Sequence, residues 1–164
     1  MNGLLIGRFQ PFHLGHLAAL RFALPKVDKL WLGLGSSNKP MEKNNPFSVD
    51  ERKKMILSSI EDSIKNKISI FPIPDLDNHV KWIQNIDTIV PDYEIIFSND
   101  PMTDHLYSKR KIQVITIPFL KRDQLSGTRL RDLIKSDQKW DDLVPEGTKL
   151  LLENLDAKNR LKIL

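Results

Sequence analysis

Apolar residues in this chain follow two alternating rhythms. Short, nearly continuous runs of Leu, Ile, Val and aromatic residues occur at 4–6, 30–34, 68–73, 93–97 and 113–117, each the length of a strand and too short for a helix. Between them the spacing lengthens to a helical period. Leu17-Ala18-Ala19-Leu20 follows the first run, Val49, Ile56, Ile60 and Ile64 form a stripe after the second, and Val80, Ile83, Ile86 and Val90 form another after the third. Strands apolar on both faces, alternating with helices, predict one Rossmann-like, doubly wound parallel sheet of five strands with helices on both faces. The remainder, Trp140 to Leu164, reads as one or two amphipathic C-terminal helices.

Local signals refine this outline. Ser48-Val49-Asp50-Glu51 is a capping box, and the helix it opens is expected to run to about Ile64. Arg52 falls on the apolar stripe of that helix, where a carboxylate at the margin would hold it or where it would look into a cleft. Ser126 or Thr128 caps a later helix whose core face is Leu130, Leu133 and Ile134. Gly33-Leu34-Gly35-Ser36 lacks the third glycine of a dinucleotide fingerprint, and no Gly-x-x-x-x-Gly-Lys loop occurs. The polar stretch from Ser36 to Pro46 follows a strand end, where ligands of open α/β sheets bind, and its length is that of a functional loop.

A chain of 164 residues is enough for one well-buried domain, expected to span 1–164. With no cysteine, disulfides and thiolate metal sites are excluded. No apolar run approaches the roughly 18 residues needed to span a membrane, and Met1-Asn2-Gly3 lacks a basic leader, so the expectation is a cytoplasmic protein without membrane contact. Lys and Arg total 25 against 21 Asp and Glu, a formal charge of +4. That suits a solvated, mildly basic surface, or attraction of an anion. Lys109-Arg110-Lys111 and Lys121-Arg122 lack interleaved aromatics, which argues against nucleic acid.

The candidate chemistry lies in two stretches. Gly7-Arg8-Phe9-Gln10-Pro11-Phe12-His13-Leu14-Gly15-His16 joins the first strand to the first helix. Helix N-termini expose unpaired N–H groups that favour anions. His13 and His16, three apart, point to one side, and Arg8 adds a cation. The second stretch, Ser126-Gly127-Thr128-Arg129-Leu130-Arg131, supplies hydroxyls and Arg131 to another helix start, where a first-turn cation opposes the dipole unless an anion offsets it. Trp82, at the margin of its stripe, suits either core packing or stacking on a heteroaromatic ring. A metal hydrolase is disfavoured, because His13 and His16 have no third ligand in their motif.

These two stretches resemble the nucleotide-binding motifs of the adenylyl/cytidylyl transferase superfamily. Gly7-Arg8-Phe9-Gln10-Pro11, Gly33-x-Gly35-Ser36, Asn45-Pro46-Phe47 with Glu51-Arg52, and Trp82 are similar to the archaeal type of nicotinamide-nucleotide adenylyltransferase, nearly end to end. Asn38, Asn44 and Asp132 depart from the pattern common in that group. The resemblance implies that ATP and nicotinamide mononucleotide (NMN) give NAD and pyrophosphate, with Mg²⁺ as cofactor and no metal ligand from the protein. It implies catalytic roles for His16, His13 and Arg8. Gly7, Arg8, Phe9, Gln10, Pro11, His13, His16, Ser126, Thr128 and Arg131 would bind ATP, and Gly35, Ser36, Asn78 and Trp82 would bind NMN. A protonated His16 would donate to an α-phosphate oxygen. It further implies a homo-oligomer, a hexamer being one form. Sister transferases acting on phosphopantetheine or a flavin, or with CTP, and a non-catalytic nucleotide sensor or RNA binder, are the alternatives.

Overall fold

The five apolar runs become five strands in the computed structural model, which describes residues 1–39, 41–118, 121 and 123–164. They are β1 (Asn2–Gly7), β2 (Lys29–Leu34), β3 (Ile68–Pro72), β4 (Ile95–Ser98) and β5 (Gln113–Thr116). All pair in parallel in the order β3-β2-β1-β4-β5. The expected five-stranded, doubly wound sheet is therefore present. Around it lie α1 (Leu14–Ala23), α2 (Val49–Leu57), α3 (Asp62–Lys65), α4 (His79–Ile89), α5 (Pro101–Ser108), α6 (Gly127–Lys135), α7 (Glu146–Asn154) and α8 (Ala157–Ile163).

The two-residue period of a strand sends neighbours to opposite faces, and each face builds its own core. Leu5, Leu30, Leu32 and Phe97 meet Leu17 and Leu20 of α1, Met55 and Ile56 of α2, Ile134 of α6, Leu152 of α7 and Leu161 of α8. Leu4, Trp31 and Ile96 meet Ile83 and Ile86 of α4 and Tyr107 of α5. Because both faces are covered, the strands read as unbroken apolar runs.

Two expectations fail. The helix opened by Ser48 ends at Leu57 and restarts as α3, although Ile60 still reaches the core. At the break the Ser59 hydroxyl donates to the Met55 carbonyl at 2.5 Å, which competes with the helical pattern. α7 also presses onto this turn, where a Cβ on Gly147 would collide with the Ser58 carbonyl. Val80 is 59% exposed, not inward-facing, because residues 78–81 in the first turn of α4 all lie outside the core.

The order of the sheet sets where a ligand can sit. β1 leads outward to β2 on one side and the chain later returns to β4 on the other, so a crevice opens at the C-terminal ends of these strands. The first candidate motif starts at the end of β1, and the second opens α6, the helix that follows β5.

Candidate functional site

The loop leaving β1 turns sharply at Phe9, whose φ of 53° is left-handed. For a bulky residue that conformation costs on the order of 1–3 kcal/mol. Burial of the ring offsets it: Phe9 is 2% exposed and meets the His16 imidazole edge-on at 4.7 Å. The turn leaves the Arg8 side chain exposed at the strand end while Gln10, Pro11 and Phe12 run beneath the surface.

His13 and His16 then cap α1 for one another. His13 Nδ1 accepts from the N–H groups of Gly15 (3.1 Å) and His16 (3.4 Å), and His16 Nδ1 accepts from the His13 N–H at 3.1 Å. It is a capping box with imidazoles in place of Ser and Glu. The amides expected to await an anion at this helix start are thus largely satisfied by His13. A nitrogen that accepts from a backbone N–H carries no proton, so each ring holds its proton on Nε2. The rings stack at 3.6 Å, and Phe12 stacks beyond His16 at 5.7 Å. Burial lowers the His13 pKa to about 4. Burial and the neighbouring His13 push His16 well below the usual histidine value. His16 thus presents a neutral Nε2–H donor, since protonating Nδ1 would set it against the His13 N–H.

The second motif closes on the first. Ser126 caps α6 by accepting from the Arg129 N–H at 3.2 Å, which leaves the N–H groups of Gly127 and Thr128 without a partner inside the helix. Thr128 Oγ1 accepts from Arg131 Nη2 at 3.3 Å. Both hydroxyls accept from within, so each keeps its proton for an outward acceptor. Arg131 Nη1 donates to the Gln10 carbonyl at 2.8 Å, 121 residues away in sequence. Glycine at 127 leaves room for this contact, because a Cβ there would lie 2.7 Å from Arg131 Nη1 and 3.2 Å from the Gln10 carbonyl oxygen.

Arg52 makes the corresponding link on the other side. It is 1% exposed and donates from Nη1 to the carbonyls of Arg8 and Gly35, both at 2.8 Å. Neither a carboxylate nor an open cleft holds it, as the sequence had suggested. Burial, and next the Arg8 charge, lower its pKa to about 10, and the same two causes lower that of Arg131. Among the described residues Arg8, Arg52 and Arg131 form no ion pair. The Arg8 charge thus acts on those of Arg52 and Arg131 beside a cavity of about 380 Å³ whose lining includes Gly7, Arg8, Phe9, His13, His16, Ser126 and Thr128. Among the described residues no carboxylate lines it.

The sequence and fold of known proteins agree with this geometry. Residues 4–133 match the Cytidylyltransferase-like family. The nicotinamide-nucleotide adenylyltransferase of Pyrococcus furiosus is 31% identical over 99% of this chain and 88% of its own length. That of Methanospirillum hungatei is 31% identical over 100% and 94%. The chain belongs to the cytidylyltransferase-like family, among its nicotinamide-nucleotide adenylyltransferases. A bifunctional NMN adenylyltransferase/ADP ribose pyrophosphatase from Francisella tularensis shares the fold, with a TM-score of 0.80 at 22% identity over 98% of this chain. This chain spans about half, 51%, of that protein. A second crystal structure of the Francisella protein, with AMP and a manganese ion, has a TM-score of 0.78.

In this cytidylyltransferase-like chain, the residues expected to meet NMN lie at the neighbouring strand ends rather than in the cavity lining. Gly35 donates to the Gly7 carbonyl at 2.9 Å, and a Cβ on it would lie 3.6 Å from Arg8 Cγ. Ser36, at φ 52°, donates to Asp75 at 2.8 Å. Asn78 is exposed and caps α4 by accepting from the Lys81 N–H. Trp82 is half-buried against the core under α4. Gln10 and Arg131 were expected at ATP, yet the Gln10 side chain is spent on Asn45 and on the Phe47 N–H and carbonyl. Both act within the protein, as ties between loops.

Sequence reasoning missed Asn99, Ile117 and Pro118, which line the cavity just past β4 and β5. Their one signal was position, directly after a strand of a parallel sheet. Arg122, of the basic pair at 121–122, lies outside the described residues. Among the described residues no three His, Asp or Glu side chains converge as metal ligands, and no helix is long and apolar enough to cross a membrane.

Proposed function

We propose that the protein transfers the adenylyl group of ATP to the 5′-phosphate of NMN, giving NAD and pyrophosphate. The observation that carries this reading is a cavity lined by the Arg8 guanidinium, the Ser126 and Thr128 hydroxyls, the start of α6 and the His13 and His16 rings, with the charges of Arg52 and Arg131 buried behind it. Such a set fits a triphosphate. Gly7, Arg8, Phe9, Pro11, His13, His16, Ser126 and Thr128 surround it, and Gln10 and Arg131 keep the two motifs in register.

The NMN phosphate is already a nucleophile and pyrophosphate leaves readily, so the site needs no covalent intermediate. An oxygen of the NMN phosphate forms a bond to the α-phosphorus of ATP, and the bond from that phosphorus to the bridging oxygen of pyrophosphate breaks. Orientation and stabilisation of charge do the rest. His16 donates from Nε2 to an oxygen on the α-phosphorus, Arg8 faces the growing negative charge, and the amides of Gly127 and Thr128 hold the departing phosphates. Gly35, Ser36, Asn78 and Trp82 hold NMN at the adjacent strand ends.

Mg²⁺ would enter as part of the ATP complex and offset triphosphate charge there. The 164 residues act as one nucleotidyltransferase domain of a cytoplasmic homo-oligomer, with no nucleic-acid partner. Incubation with ATP, Mg²⁺ and, in turn, NMN, nicotinate mononucleotide, phosphopantetheine and flavin mononucleotide tests the assignment. NAD and pyrophosphate formed from NMN support it. A dinucleotide formed only from another acceptor moves the chain to a sister transferase, and nucleotide binding without any product makes it a sensor.

A further inference from the structure

The family match ends at residue 133, yet a side chain well beyond it is tied into the candidate site. Arg160 of α8 grips both carboxylate oxygens of Glu51, at 2.7 and 3.0 Å, and donates to the Pro46 carbonyl at 3.3 Å. Its guanidinium lies 5.9 Å from the centre of the Phe47 ring. Glu51 in turn accepts from the Ser48 N–H at 2.9 Å. These contacts fix residues 46–51, and that segment has two further attachments, both to the nucleotide loop. The Phe47 backbone pairs with the Gln10 side chain at 2.9 and 3.0 Å. Arg52, next along the helix, bonds the carbonyls of Arg8 and Gly35. A planar fork that binds a carboxylate in two places fixes angle as well as distance, and the pair is mostly shielded, at 20% and 17% exposure, so water loosens it little.

We infer that Arg160 is a positioning residue for the transfer reaction: from the C-terminal helix it holds segment 46–51 in the place that Gln10 and Arg52 need to set the nucleotide loop. The inference rests on the proposed adenylyl transfer. Among the described residues Arg160 makes no hydrogen bond or ion pair to the cavity lining, so its effect travels through Glu51 and Phe47 to Gln10 and Arg8. Lys in its place would keep the charge opposite Glu51 but could not serve both carboxylate oxygens and the Pro46 carbonyl.

Steady-state kinetics of the full chain with ATP, Mg²⁺ and NMN test this, with circular dichroism at the assay temperature to show that each variant is folded. Arg160→Ala should lower kcat at least ten-fold with less than a three-fold change in the KM of ATP, and Arg160→Lys should recover thermal stability but not the rate. The double variant Gln10→Ala/Arg160→Ala should be no slower than the slower single variant, because both cut one chain of contacts. A folded Arg160→Ala, or Arg160→Lys where the alanine variant does not fold, that stays within two-fold of the wild-type kcat overturns the inference. So does a double variant that loses the product of the two single losses. Wild-type protein that makes no NAD refutes the transfer reaction itself, an outcome distinct from an active wild type indifferent to residue 160.

Discussion

Mild acid should loosen this fold through a histidine that caps a helix. His13 accepts two backbone N–H bonds only while its Nδ1 is unprotonated, and burial holds its pKa at about 4. In the unfolded chain the same group takes up a proton near 6.5. Between these values the unfolded state binds more protons, so stability is complete above about pH 7 and falls as the pH drops toward 4. At pH 5 the unfolded imidazole is almost fully protonated and the folded one hardly at all, a bias of about 30-fold, or about 2 kcal/mol. His16, also depressed, adds to the loss in the same direction. Urea unfolding at pH 7.5 and pH 5 measures the change. His13→Asn is the informative control, because an Asn side chain caps a helix without titrating in this range. The variant should lose about 2 kcal/mol less than the wild type between the two pH values. Equal losses, within about 0.5 kcal/mol, would show that His13 does not hold α1 in its neutral form.

Three further outcomes follow from the site. His16→Ala should reduce kcat by about 10²–10³, the cost of losing one transition-state donor, with KM values little changed; turnover within a few-fold of wild type would remove His16 from the chemistry. Gly127→Ala should push Arg131 off the Gln10 carbonyl, given the 2.7 Å approach of the added carbon to Nη1, and raise the KM of ATP at least about ten-fold, which initial rates at varied ATP would detect. Trp82→Ala should raise the KM of NMN more than that of ATP; equal shifts in both would leave Trp82 as packing for the core under α4.

How far the sequence could be read depends on whether a residue's partner is near it in the chain. Leu30 to Leu34 announced a strand because both of its faces are covered, and the capping box at Ser48 closes within four residues. The two nucleotide motifs were legible for the same reason: the first is a strand end, a turn and a helix start in one short stretch, and the second is a helix start with its cap and first turn. Arg52 was not, because its acceptors are the carbonyls of Arg8 and Gly35, 44 and 17 residues away. The reciprocal histidine cap was hidden too, since His is not a residue that usually marks an N-cap and the pattern looked like two free side chains. Val80 obeyed the helical period and still missed the core, because period gives the side of a helix and not where the helix begins to overlie the sheet. The walls supplied by Asn99, Ile117 and Pro118 needed the strand order, which places β4 beside β1 and β5 beyond β4 only once the chain has folded.

The choice of partners for the buried arginines bears on what the site can do. A guanidinium removed from water needs hydrogen-bond acceptors, and a carboxylate would be the ordinary solution. Carbonyl groups satisfy Arg52 and Arg131 instead, and a carbonyl fills the donor without cancelling the charge. Each arginine therefore ties two loops together while its positive field persists, and the Arg8 charge contributes to the lowered pKa of both. Two carboxylates in those places would have held the loops as firmly and cancelled most of the field. An anion entering the cavity meets a charge already oriented and requires little reorganisation to be held. The pairing that does use a carboxylate, Glu51 with Arg160, stands at the outer end of the loop, where neutralising a charge costs the cavity least. Scaffold and electrostatics are thus carried by the same few side chains, so a substitution at Arg52 that spares the fold still costs the cavity one of its three charges.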